Sequence, residues 1–253
     1  MKVLVIDIGG THVKALVTDA TEPRRFASGQ HLTPDDLMTH VRDITRDWTY
    51  DVVSLGYPGP VGPDGPTDVA GNLGDGWVGY DFEAAFQRPV RIINDAVMQA
   101  LGGYAGGRML FLGLGTGLGS ALVVDRVVVP LELGGLPYGS PDGSPDHARH
   151  GSGDDRDRAD ATMADRLGKR GLEAHGDAAW LESVHHAIDV LRRALLADYV
   201  LLGGGNAARV QPLPDGVRRG GNDDAFTGGF RLWEERVEPH DGPPPSHVWR
   251  VVH

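Results

Sequence analysis

The segment Asp7-Ile8-Gly9-Gly10-Thr11 follows the apolar run Val3-Leu4-Val5-Ile6 and precedes a second run, Val13 to Val17. That order reads as strand, tight turn, strand. Two adjacent glycines let the backbone bend sharply and approach a ligand, because no Cβ intervenes. Successive amide N–H groups in such a turn can cradle a phosphate. Asp7 at the strand end suits Mg²⁺ or a water bound to it, and Thr11 and Lys14 add a hydroxyl and a cation. The same residues also fit a plain hairpin turn that Asp7 merely caps. Two further glycine turns follow apolar runs, Gly113-Leu114-Gly115-Thr116-Gly117-Leu118-Gly119 and Gly203-Gly204-Gly205. The first of these again lies between strand-like runs, so two hairpin turns from two half-domains could grip a polyphosphate from both sides. The last offers bare backbone to a flat adenine. A dinucleotide fingerprint would need a helix to begin at the final glycine of the middle turn; Ser120 to Val124 is strand-like, which rejects that reading. Between the turns, Asn94-Asp95 ends the run Val90 to Ile93. Deprotonating an attacking hydroxyl needs one carboxylate, a role for Asp95, with Asn94 to orient other hydroxyls. Asp95 equally reads as the N-cap of a helix starting at Ala96, and the two roles are compatible.

The elements that must position these residues alternate along the chain. Thr33-Pro34-Asp35-Asp36 signals a helix start, with Thr33 as N-cap, proline at the first helical position and acids in the first turn. Leu37, Val41, Ile44 and Trp48 continue it at helical spacing. Val52 to Leu55 reads as a buried strand, Gly56 to Gly79 as loop and short extended pieces, and Asp81 as the cap of a helix through Phe86. A helix is expected over Ala96 to Tyr104, followed by strands over Met109–Leu114, Ser120–Val124 and Val127–Val129. Gly139 to Asp165 is polar, rich in Asp, Gly and Arg, and reads as a loop. Asp177 is expected to cap a helix carrying Leu181, Val184, Ile188, Leu191 and Leu195 on one face. Tyr199 to Leu202 reads as a strand, and 237–253 as an irregular tail.

The 253 residues suffice for one or two domains, and 37 glycines with 17 prolines imply many turns. A formal charge of −11 argues against wrapping nucleic acid or an anionic membrane. No cysteine is present, so disulfides and thiolate metal sites are excluded. The chain enters a strand at once and contains no run of about 18 apolar residues, so a soluble cytoplasmic protein is expected. His185 and His186, adjacent on a helix, point about 100° apart and make a poor metal pair.

Taken in order, these pieces resemble the ROK family of sugar kinases, of the actin-like, hexokinase-like ATPase fold. The resemblance rests on Asp7–Thr11, Gly56-Tyr57-Pro58-Gly59-Pro60, Gly71-Asn72-Leu73 with Trp77, Asn94-Asp95-Ala96, Leu114–Ser120, Glu132-Leu133-Gly134 and Gly203–Gly205. It is nearest to the polyphosphate glucokinase-like branch. It implies two ribonuclease H/actin-like α/β half-domains around a central cleft, covering about 1–100 (sugar and phosphate side) and 101–253 (donor side), with a late helix able to return to the first. It further implies phosphoryl transfer from ATP or polyphosphate to a glucose-like hexose, with Asp95 as general base and Asn72, Asn94 and Glu132 on the sugar. Gly9, Gly10, Thr11, Lys14, Gly115, Thr116 and Gly117 would hold phosphates, Gly204 and Gly205 would lie near the nucleoside or distal donor, and Asp7 would act through Mg²⁺. Family habit implies a homodimer.

The chain departs from the pattern at identifiable places. Gly135 stands where the family usually has a histidine after Glu-x-Gly, so one sugar contact is missing or comes from elsewhere. Val97 replaces an acidic residue common in the branch, and the spacing from Pro130 to Glu132 is one residue shorter. These departures keep open an alternative, a catalytically weak or inactive sugar- or nucleotide-binding protein of the same fold. A phosphatase or ATPase using water as acceptor is a further rival, against which the retained Asn72, Asn94 and Glu132 speak. A DNA-binding repressor is not expected, because no helix-turn-helix precedes the first strand.

Overall fold

Six consecutive buried residues make β1, Val3–Ile8, a central strand covered on both faces. The computed structural model describes residues 1–124, 127–139, 161–221, 223–234 and 249–250. A hairpin joins β1 to β2, His12–Val17, and β3, Arg24–Ala27, pairs beyond it at the edge. Helix α1, Pro34–Ile44, starts on a capping box. Thr33 Oγ1 accepts the Asp36 N–H while the Asp36 carboxylate accepts the Thr33 N–H. The helix ends at Ile44, so Trp48 packs on the core from beyond it. Then come β4, Val52–Tyr57, the small ribbon β5, Val61–Gly62, with β6, Gly65–Pro66, and α2, Phe82–Phe86, capped by Asp81 as expected. β7, Val90–Asn94, runs directly into α3, Asp95–Gly103. The strand order is β3-β2-β1-β4-β7, with β1, β4 and β7 parallel. Its core is built on Leu4, Ile6, Leu37, Leu55, Tyr57 and Trp77.

The second sheet repeats this plan. β8, Arg108–Leu114, and β9, Leu118–Val124, form a hairpin, followed by β10, Val127–Leu131. A 3₁₀ turn, Leu133–Gly135, leads on. Helix α4, Met163–Leu167, begins on a second capping box, Thr162 with Asp165. Helix α5, Lys169–Ala194, loses helical geometry only at Gly176 (φ 74°, ψ 167°). β11, Tyr199–Gly203, lies parallel to β8, and β12, Val217–Arg219, parallel to β11. After α6, Asp224–Glu234, the short β13, Trp249–Arg250, pairs with β10. The order β12-β11-β8-β9-β10-β13 contains the first sheet's pattern, a three-strand meander whose first strand continues into parallel neighbours. Trp180, Val184, Ile188 and Leu191 of α5 cover Leu110, Leu112, Val200 and Leu202.

By its contacts the chain divides into two compact units: residues 1–105 with 126–130 and 221–253, and residues 106–125 with 131–220. The stretch expected as one domain, 101–253, is therefore split, because α6 packs on α3 and the first sheet. A Cβ on Gly228 would sit 1.8 Å from Met98 O, and one on Gly102 1.8 Å from Asp224 O. Only glycines permit this approach. Ser54, buried in β4, donates to Gly229 O (2.6 Å) and accepts from Trp233 Nε1 (2.9 Å), fastening the helix to the sheet.

Other expectations are corrected locally. The loop expected over 139–165 includes the start of α4 at Met163; its residues 140–160 lie outside the described residues. Of the tail 237–253 only 249–250 are described. The helix expected from Asp177 is the second of two that meet at the non-helical Gly176, and the first, from Lys169, was not expected. Strands β3 and β12 were not anticipated.

Candidate functional site

In the first unit, the parallel register sets Asp7 opposite Gly56, and Tyr57 opposite Asn94. The C-terminal ends of β1, β4 and β7 thus finish along one edge, where open α/β sheets bind ligands. Asp7 and Asn94 are separated by two strand spacings, about 10 Å. The first turn of α3 rests on β4 because Gly56 has no side chain. A Cβ there would lie 2.4 Å from Met98 Cε and 3.6 Å from Asp95 Cα.

Asn94, not Asp95, is the N-cap of α3. Its Oδ1 accepts the N–H groups of Ala96 (2.9 Å) and Val97 (3.2 Å), and its Nδ2 donates to Gly59 O (3.0 Å). Asn94 therefore ties the 56–60 loop to α3, which leaves it less capacity for hydroxyls than the sequence suggested. Asp95 is the first helical residue, half-buried, with Oδ1 accepting the Ala96 N–H at 2.7 Å. Val97, the position of the missing acid, is fully buried in the core.

Asn72 lies half-buried in a turn closed by Leu73 N–H to Ala70 O (2.9 Å). Tyr57 holds that turn. Its hydroxyl donates to Asp68 O (3.0 Å) and accepts the Ala70 N–H (2.9 Å), and its ring lies 5.4 Å from that of buried Trp77.

Asp7 is 8 % exposed, and burial pushes its carboxyl above the ordinary carboxylate range against the opposing pull of Lys14. Lys14 is its cross-strand partner. Gly9 and Gly10 turn the hairpin, with Gly9 N–H bonded to His12 O (3.0 Å), and Thr11 is exposed beside them. Among the described residues no group of three or more His, Cys, Asp or Glu could cage a metal. A buried, poorly solvated carboxylate nevertheless suits one-point attachment of a Mg²⁺ whose other ligands are water and phosphate.

In the second unit, two of the expected donor turns lie together. Asn206 N–H bonds Leu114 O (2.9 Å), and Asn206 Nδ2 donates to Gly115 O (3.4 Å). Gly204 adopts φ +79°, and a Cβ on it would lie 2.6 Å from the Leu114 carbonyl. The Gly115–Gly117 turn is closed by Gly115 N–H to Gly117 O (3.2 Å) and pinned by Lys169 N–H, which reaches Gly115 O (3.0 Å) and Thr116 O (3.2 Å). Thr116, Gly204 and Gly205 are exposed. Glu132 is exposed as a residue, yet surrounding protein desolvates its carboxyl enough to raise its pKa. Sequence reasoning missed Tyr57, Ser120 and Asn206 as organisers of these turns. Only Asn206, directly after three glycines, carried a readable signal.

No family model matches the chain, and no curated protein matches it by sequence. Solved structures do. An inorganic polyphosphate/ATP-glucomannokinase from Arthrobacter sp. strain KM superposes with a TM-score of 0.72 at 22% identity, over 90% of this chain and 96% of that one. A ROK hexokinase from Thermus thermophilus gives 0.60 at 21%, over 90% and 97%. A ROK-family glucokinase from Streptomyces griseus, solved with glucose and AMPPNP, gives 0.60 at 17%, over 90% and 98%. With two sheets of the same winding, each ending in glycine turns, the chain has the α/β fold of these sugar kinases.

Proposed function

We propose that this chain transfers a phosphoryl group from ATP or inorganic polyphosphate to a hydroxyl of a glucose-like hexose. The observation that carries the proposal is the edge of the first sheet, where Asp7 near the end of β1, the Gly9–Gly10 turn after β1 and Asp95 after β7 lie at the ends of parallel strands. Asp95 accepts the proton of the attacking hydroxyl as its oxygen bonds to phosphorus and the bond to the leaving phosphate oxygen breaks. Asn72, Glu132 and the remaining amide hydrogen of Asn94 hold other hydroxyls. Amide N–H groups of the 9–11 and 115–117 turns, with Thr11, Lys14 and Thr116, hold donor phosphates, and Gly204 and Gly205 flank the distal part of the donor. Mg²⁺ attached through Asp7 would neutralise phosphate charge. The two kinds of donor follow the polyphosphate/ATP-glucomannokinase and the glucokinase solved with AMPPNP that this chain resembles, and a dimer in the cytoplasm follows family habit.

A coupled screen of hexoses with ATP and with polyphosphate, at fixed Mg²⁺, tests this. Donor consumption that depends on a hexose is the expected result. Exposed Gly135, which offers no side chain where a sugar contact is expected, favours a second reading: a sugar-binding protein with little turnover. Thermal shifts with glucose but no donor consumption would establish that reading instead, and no shift with any hexose would defeat both.

A further inference from the structure

We propose that Ser120 is a positioning residue for Glu132, its buried hydroxyl clamping the backbone on both sides of that glutamate. Ser120 sits in β9 and is 2 % exposed. Its Oγ donates to Leu131 O (2.8 Å) and accepts the Leu133 N–H (3.1 Å). A hydroxyl has one proton to give, and here it is given to the residue before Glu132 while an acceptor pair takes the residue after it. Glu132 itself stands at φ −114°, ψ 53°, outside regular strand or helix, so nothing in a ladder fixes its direction.

The remaining restraints act further along. Gly135 N–H bonds Glu132 O (3.2 Å), Leu136 N–H bonds Leu133 O (3.1 Å), and Met163 N–H at the start of α4 bonds Leu136 O (2.8 Å). Gly134 lies flat on β9, since a Cβ there would come 3.0 Å from Leu118 O. These contacts hold the 3₁₀ turn as a body. Beyond the pairing of β10 with β9, which ends at Leu131, the serine hydroxyl is the described side-chain group that bonds the peptide groups on both sides of Glu132. Removing it keeps the turn in place and lets the direction of the glutamate side chain drift. A drift of about 1 Å in a positioning group costs up to about 100-fold in rate or affinity.

This inference rests on the reading of Glu132 as a sugar ligand, so the experiment separates the two. Ser120→Ala, Ser120→Thr and Glu132→Ala are compared for glucose and mannose binding by calorimetry, for steady-state kinetics with ATP–Mg²⁺, and for amide exchange at Leu133. Ser120→Ala is expected to weaken sugar binding and raise KM by about tenfold with kcat nearly unchanged, the signature of lost uniform binding. The Leu133 amide should exchange faster, and Ser120→Thr should restore both. If Ser120→Ala does not fold, Ser120→Cys keeps the volume with a much weaker hydrogen bond and should show the same pattern. Unchanged sugar affinity in Ser120→Ala alongside lost affinity in Glu132→Ala overturns the positioning role. Unchanged affinity in Glu132→Ala overturns the sugar-ligand reading instead. An unchanged Leu133 exchange rate overturns the clamp whatever the sugar.

Discussion

Replacing Asp95 by asparagine separates chemistry from architecture because the structure assigns the helix cap to its neighbour. Asn94 accepts both the Ala96 and Val97 N–H groups, so α3 keeps its cap in the variant. The asparagine carbonyl oxygen can also keep the 2.7 Å bond that Asp95 Oδ1 accepts from Ala96. The negative charge lost at the first helical position is worth about 0.3–1 kcal/mol against the helix dipole. For a chain of this size that moves Tm by at most about 4 °C. Loss of a general base instead removes about 10²–10⁴ in rate, or about 2.7–5.5 kcal/mol of transition-state stabilisation. The assay is steady-state hexose phosphate formation with ATP–Mg²⁺, paired with calorimetric titration of glucose and a thermal melt. The expected result is a kcat lowered by at least a hundredfold, glucose affinity within about threefold and a Tm within the stated range. Asp95→Ala should match it with a slightly larger loss of stability. A kcat within threefold of the parent would refute the base assignment. A Tm lowered by more than about 10 °C would refute the argument that Asn94 carries the cap.

Asp7→Asn should stabilise the metal-free protein increasingly as pH rises. Burial holds the Asp7 carboxyl above its unfolded value, so its contribution is favourable below about pH 4 and is lost as pH climbs through the folded pKa. Melts at pH 4.5 and 7.5 should show the variant gaining on the parent; a constant difference would contradict this. Gly204→Ala places a Cβ 2.6 Å from the Leu114 carbonyl at φ +79°. It should cost more than about 1–2 kcal/mol, the ordinary penalty for a left-handed residue, and should shrink the thermal shift given by ATP. Denaturant titration and that shift check it. Ser54→Ala strands the Trp233 indole N–H and removes the second donor to Gly229 O, and should cost about 1–3 kcal/mol. Adding Trp233→Phe should add less than its separate cost, and strict additivity in denaturant melts would count against the shared bond.

The sequence shows the elements whose signals are local, and hides those whose reasons lie elsewhere in the chain. An apolar run before closely spaced glycines announced the β1–β2 and β8–β9 hairpins and the end of β11, and Thr33 announced α1. β3 has four residues at a sheet edge, alternating half-buried and exposed, with two arginines in it, so no apolar run marks it. α6 contains Gly228-Gly229, which reads as a break. The structure needs both, one against Met98 O and the other with a would-be Cβ 2.3 Å from Val5 Cγ1. The candidate site divides in the same way. The glycine turns were legible, since their conformational freedom is in their own residue types. Tyr57 and Ser120 were not, because each acts on backbone groups eleven or more residues away.

The Asn94-Asp95 pair shows why the distinction bears on function. Either residue can cap a helix, and composition does not choose between them. The choice is made by backbone geometry: Asn94 ends β7 with extended angles, φ −60° and ψ 140°, so its side chain meets the first free N–H groups of α3. Asp95, one residue on, already has its place inside the helix. A neutral amide thereby closes the helix end, and the Asp95 carboxylate sits in the first turn beside it. Had the strand ended one residue later, the same two letters would have made Asp95 the cap. Its charge would then be stabilised by two amide N–H groups and its basicity lowered. The proposed base thus depends on the length of β7 as much as on the identity of residue 95. A variant exchanging the pair, Asn94→Asp with Asp95→Asn, should fold with its cap intact and lose turnover as completely as Asp95→Asn alone.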